Sequence, residues 1–67
     1  MKLFDKVKLT TDKYKEEGAS KGEIGYIVEI YDRENLPTGY DVQFDTLKTV
    51  PGYPVIIVHE EDIEVIQ

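Results

Sequence analysis

Lys21-Gly22-Glu23-Ile24-Gly25-Tyr26-Ile27-Val28-Glu29-Ile30-Tyr31-Asp32 joins a glycine-marked turn to the longest β-prone run of the chain. Glycines at positions 22 and 25 mark either positive φ or a close approach of neighbouring backbone. From Tyr26 to Tyr31, β-branched residues and tyrosines suit a pleated, partly buried surface. Strict alternation places Ile24, Tyr26, Val28 and Ile30 on one face and strands Ile27 on the other beside Gly25 and Glu29. A bulge or sharp bend resolves the conflict by letting Ile27 and Ile30 both reach the core. The stretch therefore reads as the bent central strand of a small all-β domain.

On the N-terminal side, residues 3–9 alternate, with Leu3, Asp5, Val7 and Leu9 on one side, and Val7 and Leu9 are expected to face inward. Residues 10–20 are polar and end in Gly18-Ala19-Ser20, which predicts a long exposed loop. One helical turn fits between Asp12 and Glu17, closed by Gly18. On the C-terminal side, Asp32 to Gly39 is a loop, with Pro37 preset for the second position of a turn. Tyr40, Val42 and Phe44 then alternate with Asp41, Gln43 and Asp45, so this strand forms an antiparallel hairpin with the central one. Thr46 to Pro54 predicts a surface loop or an edge, since Pro51 and Pro54 remove two backbone donors. Val55-Ile56-Ile57-Val58 reads as a strand buried on both faces or covered by a partner. A tight helical turn at His59-Glu60-Glu61-Asp62 precedes a last short strand, Ile63 to Ile66.

Five short strands, a long first loop and a helical turn before the last strand describe an SH3-like five-stranded small barrel occupying residues 1–67 as a single domain. At 67 residues there is room for one modest core, and with no cysteine neither a disulfide nor a thiolate metal site can supplement it. No stretch has the apolar length of a signal peptide or a membrane span, so a cytoplasmic protein is expected.

Asp5-Lys6-Val7-Lys8-Leu9 followed by the Lys21 to Ile30 segment resembles the KOW type of SH3-like barrel. The chain as a whole resembles a family of short bacterial proteins classed as a domain of unknown function. Residues 21–31, 39–44 and 60–63 carry that resemblance. The stretch from Asp45 to Pro54 departs from the family pattern, being longer and richer in proline. RNA-binding KOW barrels use basic loops, and the corresponding stretches here are mixed or acidic, so the resemblance does not imply an RNA role.

The net charge of −6 is unevenly spread: residues 1–22 hold six lysines against four acids, and residues 23–67 hold Arg33 and Lys48 against ten. A bare acidic C-terminal third is a poor match to phosphates and a better one to a basic protein surface. Catalysis has little to build on, with no cysteine, one serine (Ser20) in a polar loop, and one histidine (His59) without an orienting partner. His59, Glu60, Glu61 and Asp62 are consecutive, so their side chains diverge instead of converging on a metal. No cofactor is expected. Tyr26, Tyr31, Tyr40 and Tyr53 exceed what a core this small needs, and tyrosine is favoured at interfaces.

The expectation is thus a non-enzymatic protein-binding module, of the antitoxin or immunity type, that masks a basic toxin or enzyme. Its partner-binding residues would be Tyr14, Tyr31, Asp41, Asp45, Tyr53, Glu60 and Glu61. Gly22, Gly25, Ile27, Ile30, Val42 and Phe44 are assigned structural roles. The alternative is a KOW-like nucleic-acid or ribosome-associated module working through Lys6, Lys8, Lys13, Lys15 and Lys21. An edge at Val55 to Val58 also offers a homodimer contact.

Overall fold

The computed structural model describes residues 1–47, 50–52 and 54–66. Five strands, β1 (Lys6–Leu9), β2 (Ile24–Tyr31), β3 (Gly39–Phe44), β4 (Ile56–His59) and β5 (Ile63–Val65), form one sheet in the order β4-β3-β2-β1-β5. Every neighbouring pair is antiparallel. Single 3-10 turns span Lys15–Glu17, Asp45–Leu47 and Glu60–Asp62, and the described residues form no α-helix. None of the described helices is long and apolar enough to cross a membrane.

β2 holds the middle because it bonds on both sides. Its first half pairs with β1, from Lys6 opposite Tyr26 to Lys8 opposite Ile24. Most of its length pairs with β3, and the register shifts between Ile27, opposite Val42, and Glu29, opposite Asp41. Val28 is therefore the extra residue of a β-bulge, as the conflict of faces in the sequence requires. The bulge puts Ile27 fully inside and lets Ile30 pack against the same core. Tyr26 is left on the outer face, 40% exposed.

The two glycines of this strand and its turn serve different ends. Gly22 has φ of 94° and open space around it, so it supplies a left-handed turn. Gly25 supplies room: a Cβ there would lie 2.7 Å from the Gln43 carbonyl oxygen and 2.7 Å from Val42 Cγ1. β3 can run this close to β2 only because residue 25 has no side chain.

The core combines Val7 and Leu9 of β1, Ile27 of β2, Tyr40, Val42 and Phe44 of β3, Ile56 and Val58 of β4, and Ile63 of β5. Full burial of each such side chain contributes about 1.5–3 kcal/mol. Several expectations need correction. β1 begins at Lys6, leaving Leu3 exposed. β4 is buried on one face only, since Ile57 is 58% exposed and Val55 is exposed beside it. That follows from the place of β4 at the end of the sheet. The turn between β2 and β3 closes from Leu36 N–H to the Arg33 carbonyl, with Asn35 at φ 64°, and not at Pro37. Asn tolerates that left-handed position, so the chain turns before it reaches the proline.

The loop of residues 10–20 is not simply exposed. Its 3-10 turn ends at Gly18, with φ of 103°, and brings Tyr14 and Ala19 into the core. Leu47, from the turn after β3, lies over Gly18 so closely that a Cβ there would be 2.9 Å from Leu47 Cδ2. Asp62 fastens this loop to the β4–β5 connection. Its carboxylate is buried and accepts hydrogen bonds from the Tyr14 hydroxyl and, at 3.2 Å, from the His59 backbone N–H. Lys13 Nζ lies 2.9 Å from its other oxygen. Thr10 N–H donates to the Asp62 carbonyl at 2.8 Å. A buried carboxylate persists only when it is paired and hydrogen-bonded in this way.

Burial pushes the Asp62 carboxyl up, but the hydrogen bonds from Tyr14, Lys13 and His59 outweigh it and hold the group below its ordinary value. Burial first, and then the hydrogen bond to Asp62, push the Tyr14 phenol well above its ordinary value. A depressed carboxyl contributes stability that is complete above its unfolded pKa and lost on acidification. A raised phenol contributes stability that is complete below its unfolded pKa and lost as pH rises. Unfolding free energy should therefore fall below about pH 4 and again above about pH 10. Urea titrations of Tyr14→Phe across pH should show both limbs flattened. The alkaline limb should persist in part, because Tyr31 and Tyr40 are also raised.

Gly25→Ala should lower the unfolding free energy by about 2–3 kcal/mol through overpacking against β3. Gly22→Ala should cost only about 1–2 kcal/mol of backbone strain. Chemical denaturation of the two variants measures the order.

Candidate functional site

The outward residues of β3 are Gly39, Asp41 and Gln43, alternating with the buried Tyr40, Val42 and Phe44. Register carries this face across three strands. Tyr31, Gly39 and His59 form one row, and Glu29, Asp41 and Ile57 form the next. Tyr31 and Ile57 stand on either side of Gly39: a Cβ at 39 would lie 3.9 Å from Tyr31 Cβ and 3.7 Å from Ile57 Cγ2, at ordinary contact distance from both. The Tyr31 hydroxyl donates to Asp41 Oδ2 at 2.7 Å. Asp41 Oδ1 is buried and accepts no hydrogen bond among the described residues. The hydrogen bond to Asp41 first, then burial and the nearby charges of Asp41 and Glu29, raise the Tyr31 phenol above its ordinary value.

Beside this face, where β4 passes into the last 3-10 turn, Pro37, Thr38, His59, Glu60 and Glu61 line an open cleft of about 200 Å³. Burial raises the Tyr40 phenol at this end, with the charges of Glu60 and Asp32 adding to it. The cleft is therefore acidic. Glu60 and Glu61 point outward while Asp62 turns in to Tyr14, and the described residues contain no group of three or more carboxylate, histidine or cysteine side chains placed to hold a metal.

Of the residues assigned to partner binding from sequence, the fold brings Tyr31 and Asp41 into contact and puts Glu60 and Glu61 at the adjoining cleft. Asp45 is exposed but begins the 3-10 turn after Phe44, at the other end of β3 from Gly39. Tyr14 is a correction: at 8% exposure it is a core residue bound to Asp62 and offers nothing to a partner. Tyr53 lies outside the described residues.

Sequence reasoning missed the exposure of Ile57 and the left-handed turn at Phe4, which alternation places with Lys6 and Lys8 on the face opposite Val7 and Leu9. Ile57 was hidden in a run of four β-branched residues that has no polar alternation to reveal its face. Phe4 is 73% exposed, at φ of 69°, with its N–H donating to the Ile27 carbonyl at 2.7 Å and a turn from Lys2 to Asp5 around it. Nothing in its local sequence marks that conformation.

No family model matches the chain, and no curated protein or solved structure shows significant similarity to it.

In an Asp41→Asn variant the Tyr31 phenol should titrate at lower pH than in the parent, because the accepting carboxylate and its charge are both gone. Tyrosine ring resonances followed through an alkaline NMR titration provide the check.

Proposed function

We propose that this chain is a non-enzymatic protein-binding module of the antitoxin or immunity type, acting in the cytoplasm by covering a basic surface of a toxin or enzyme. The observation that carries the reading is the Tyr31–Asp41 pair set beside exposed Ile57. Together they combine an aromatic anchor, a fixed carboxylate and an apolar contact, the ingredients of a small binding hot spot. Glu60 and Glu61 extend the negative potential from the cleft and would steer a basic partner during encounter.

We further propose that the sheet belongs to an SH3-like barrel akin to the bacterial domain-of-unknown-function family that the sequence resembles. The bulged β2, shared by the two halves of the sheet, and the 3-10 turn just before β5 support that reading. The KOW-like alternative has weaker support. Of its five lysines, Lys8 pairs with Glu64 at 3.5 Å and Lys13 with buried Asp62, so two are already committed to carboxylates.

The test is to mix the purified protein with the product of the neighbouring gene. A complex should form, inhibit that product and weaken as salt rises. The triple variant Asp41→Asn, Glu60→Gln, Glu61→Gln should bind at least about tenfold more weakly, a loss of roughly 1.4 kcal/mol or more. Absence of both complex and inhibition overturns the proposal. Salt-dependent RNA binding that weakens when Lys13, Lys15 and Lys21 are neutralised would favour the alternative.

A further inference from the structure

We infer that β4 is a receiving edge: an extended, lysine- or arginine-bearing segment of the partner pairs with it as an added strand. This rests on the protein-binding reading above and specifies the chemistry of the partner and the mode of contact.

The sheet has two ends, and they differ. β5 is three residues long, its central Glu64 is tied to Lys8 at 3.5 Å, and Ile66 N–H closes onto the Lys6 carbonyl at 2.9 Å. β4 presents Ile56, Ile57 and Val58 in succession and carries no charged side chain within that run. Natural sheets protect an edge with lysine, proline within the strand, a bulge or a covering segment. Here Pro54 stands before the strand and not in it. Among the described residues, no backbone hydrogen bond outside the β3–β4 ladder involves residues 55–58. Among the described residues, the backbone groups of β4 that turn away from β3 thus carry no backbone partner and can receive another strand.

The side chains and charges around the edge specify its occupant. Ile57 and Val55 are exposed and offer alternating apolar contacts to a strand laid alongside. Asp41 is the cross-strand neighbour of Ile57, Glu60 and Glu61 follow the strand directly, and no lysine or arginine occurs after residue 48. A second copy would bring another net charge of −6 to an acidic surface. An extended basic segment brings the complementary charge, while its backbone supplies the hydrogen bonds that give strand addition its affinity.

The experiment uses two synthetic probes, a short peptide of alternating valine and lysine and its twin with alternate backbone nitrogens methylated, titrated into the isotope-labelled protein. The unmethylated peptide should shift the amide resonances of residues 55–59 and slow their hydrogen exchange, and the twin should bind about tenfold more weakly or worse. Ile57→Lys, at a position exposed enough to leave the core intact, should abolish binding while circular dichroism remains native. Equal binding of the two peptides overturns strand addition and leaves the basic-partner reading standing. Binding of neither also overturns it, and the basic-partner reading then fails only if the neighbouring-gene product forms no complex either. A folded Ile57→Lys variant that binds as tightly as the parent contradicts the inference directly.

Discussion

The rest of the structure depends on β2 being bonded along both edges while changing register in its middle. Ile27 shows the constraint most clearly. Its N–H donates to the Asp5 carbonyl at 3.1 Å and its carbonyl accepts from Phe4, while across the other edge it stands opposite Val42. One residue later the bulge at Val28 resets the pairing, so that Glu29 and not Val28 faces Asp41. Without side-chain bulk at Gly25 and with the extra residue at Val28, the strand can bend and still keep Ile27 and Ile30 toward one core. β1 and β5 hang from one edge of it, and β3 and β4 from the other.

A second constraint closes the loops over that core. Asp62 accepts from Tyr14, Lys13 and the His59 backbone, and so links the long first loop to the turn before β5. In a 67-residue chain without cysteine, a few such long-range polar ties matter alongside a core of only modest size. They also keep the 3-10 turn at Glu60–Asp62 in place, which orients Glu60 and Glu61 outward at the cleft.

Much of the sheet was legible in the sequence because alternation is a local property. Val7 and Leu9, and again Tyr40, Val42 and Phe44, alternate with polar residues and are buried where that pattern predicts. The bulge was legible too, as a conflict between Ile27 and strict alternation. Tyr14, Ala19 and Leu47 were not, since each is a lone apolar residue in a polar segment and its burial is decided by partners distant in sequence. Asp62 is the sharpest case: its neighbours Glu60 and Glu61 are exposed, and its inward turn depends on Tyr14, far earlier in the chain. In the candidate site, the residue types were legible but their grouping was not. Tyr31 and Asp41 meet only because the register after the bulge places both on the outer face, and the exposure of Ile57 follows from β4 ending the sheet.

Native-state amide hydrogen exchange tests the central place of β2 most directly, because it reads the free energy of opening residue by residue. The Ile27 amide should exchange only through global unfolding, with the amides of β4 opening at lower free energy. Exchange of Ile27 by local opening, at a free energy no greater than that of Val58, would contradict the account.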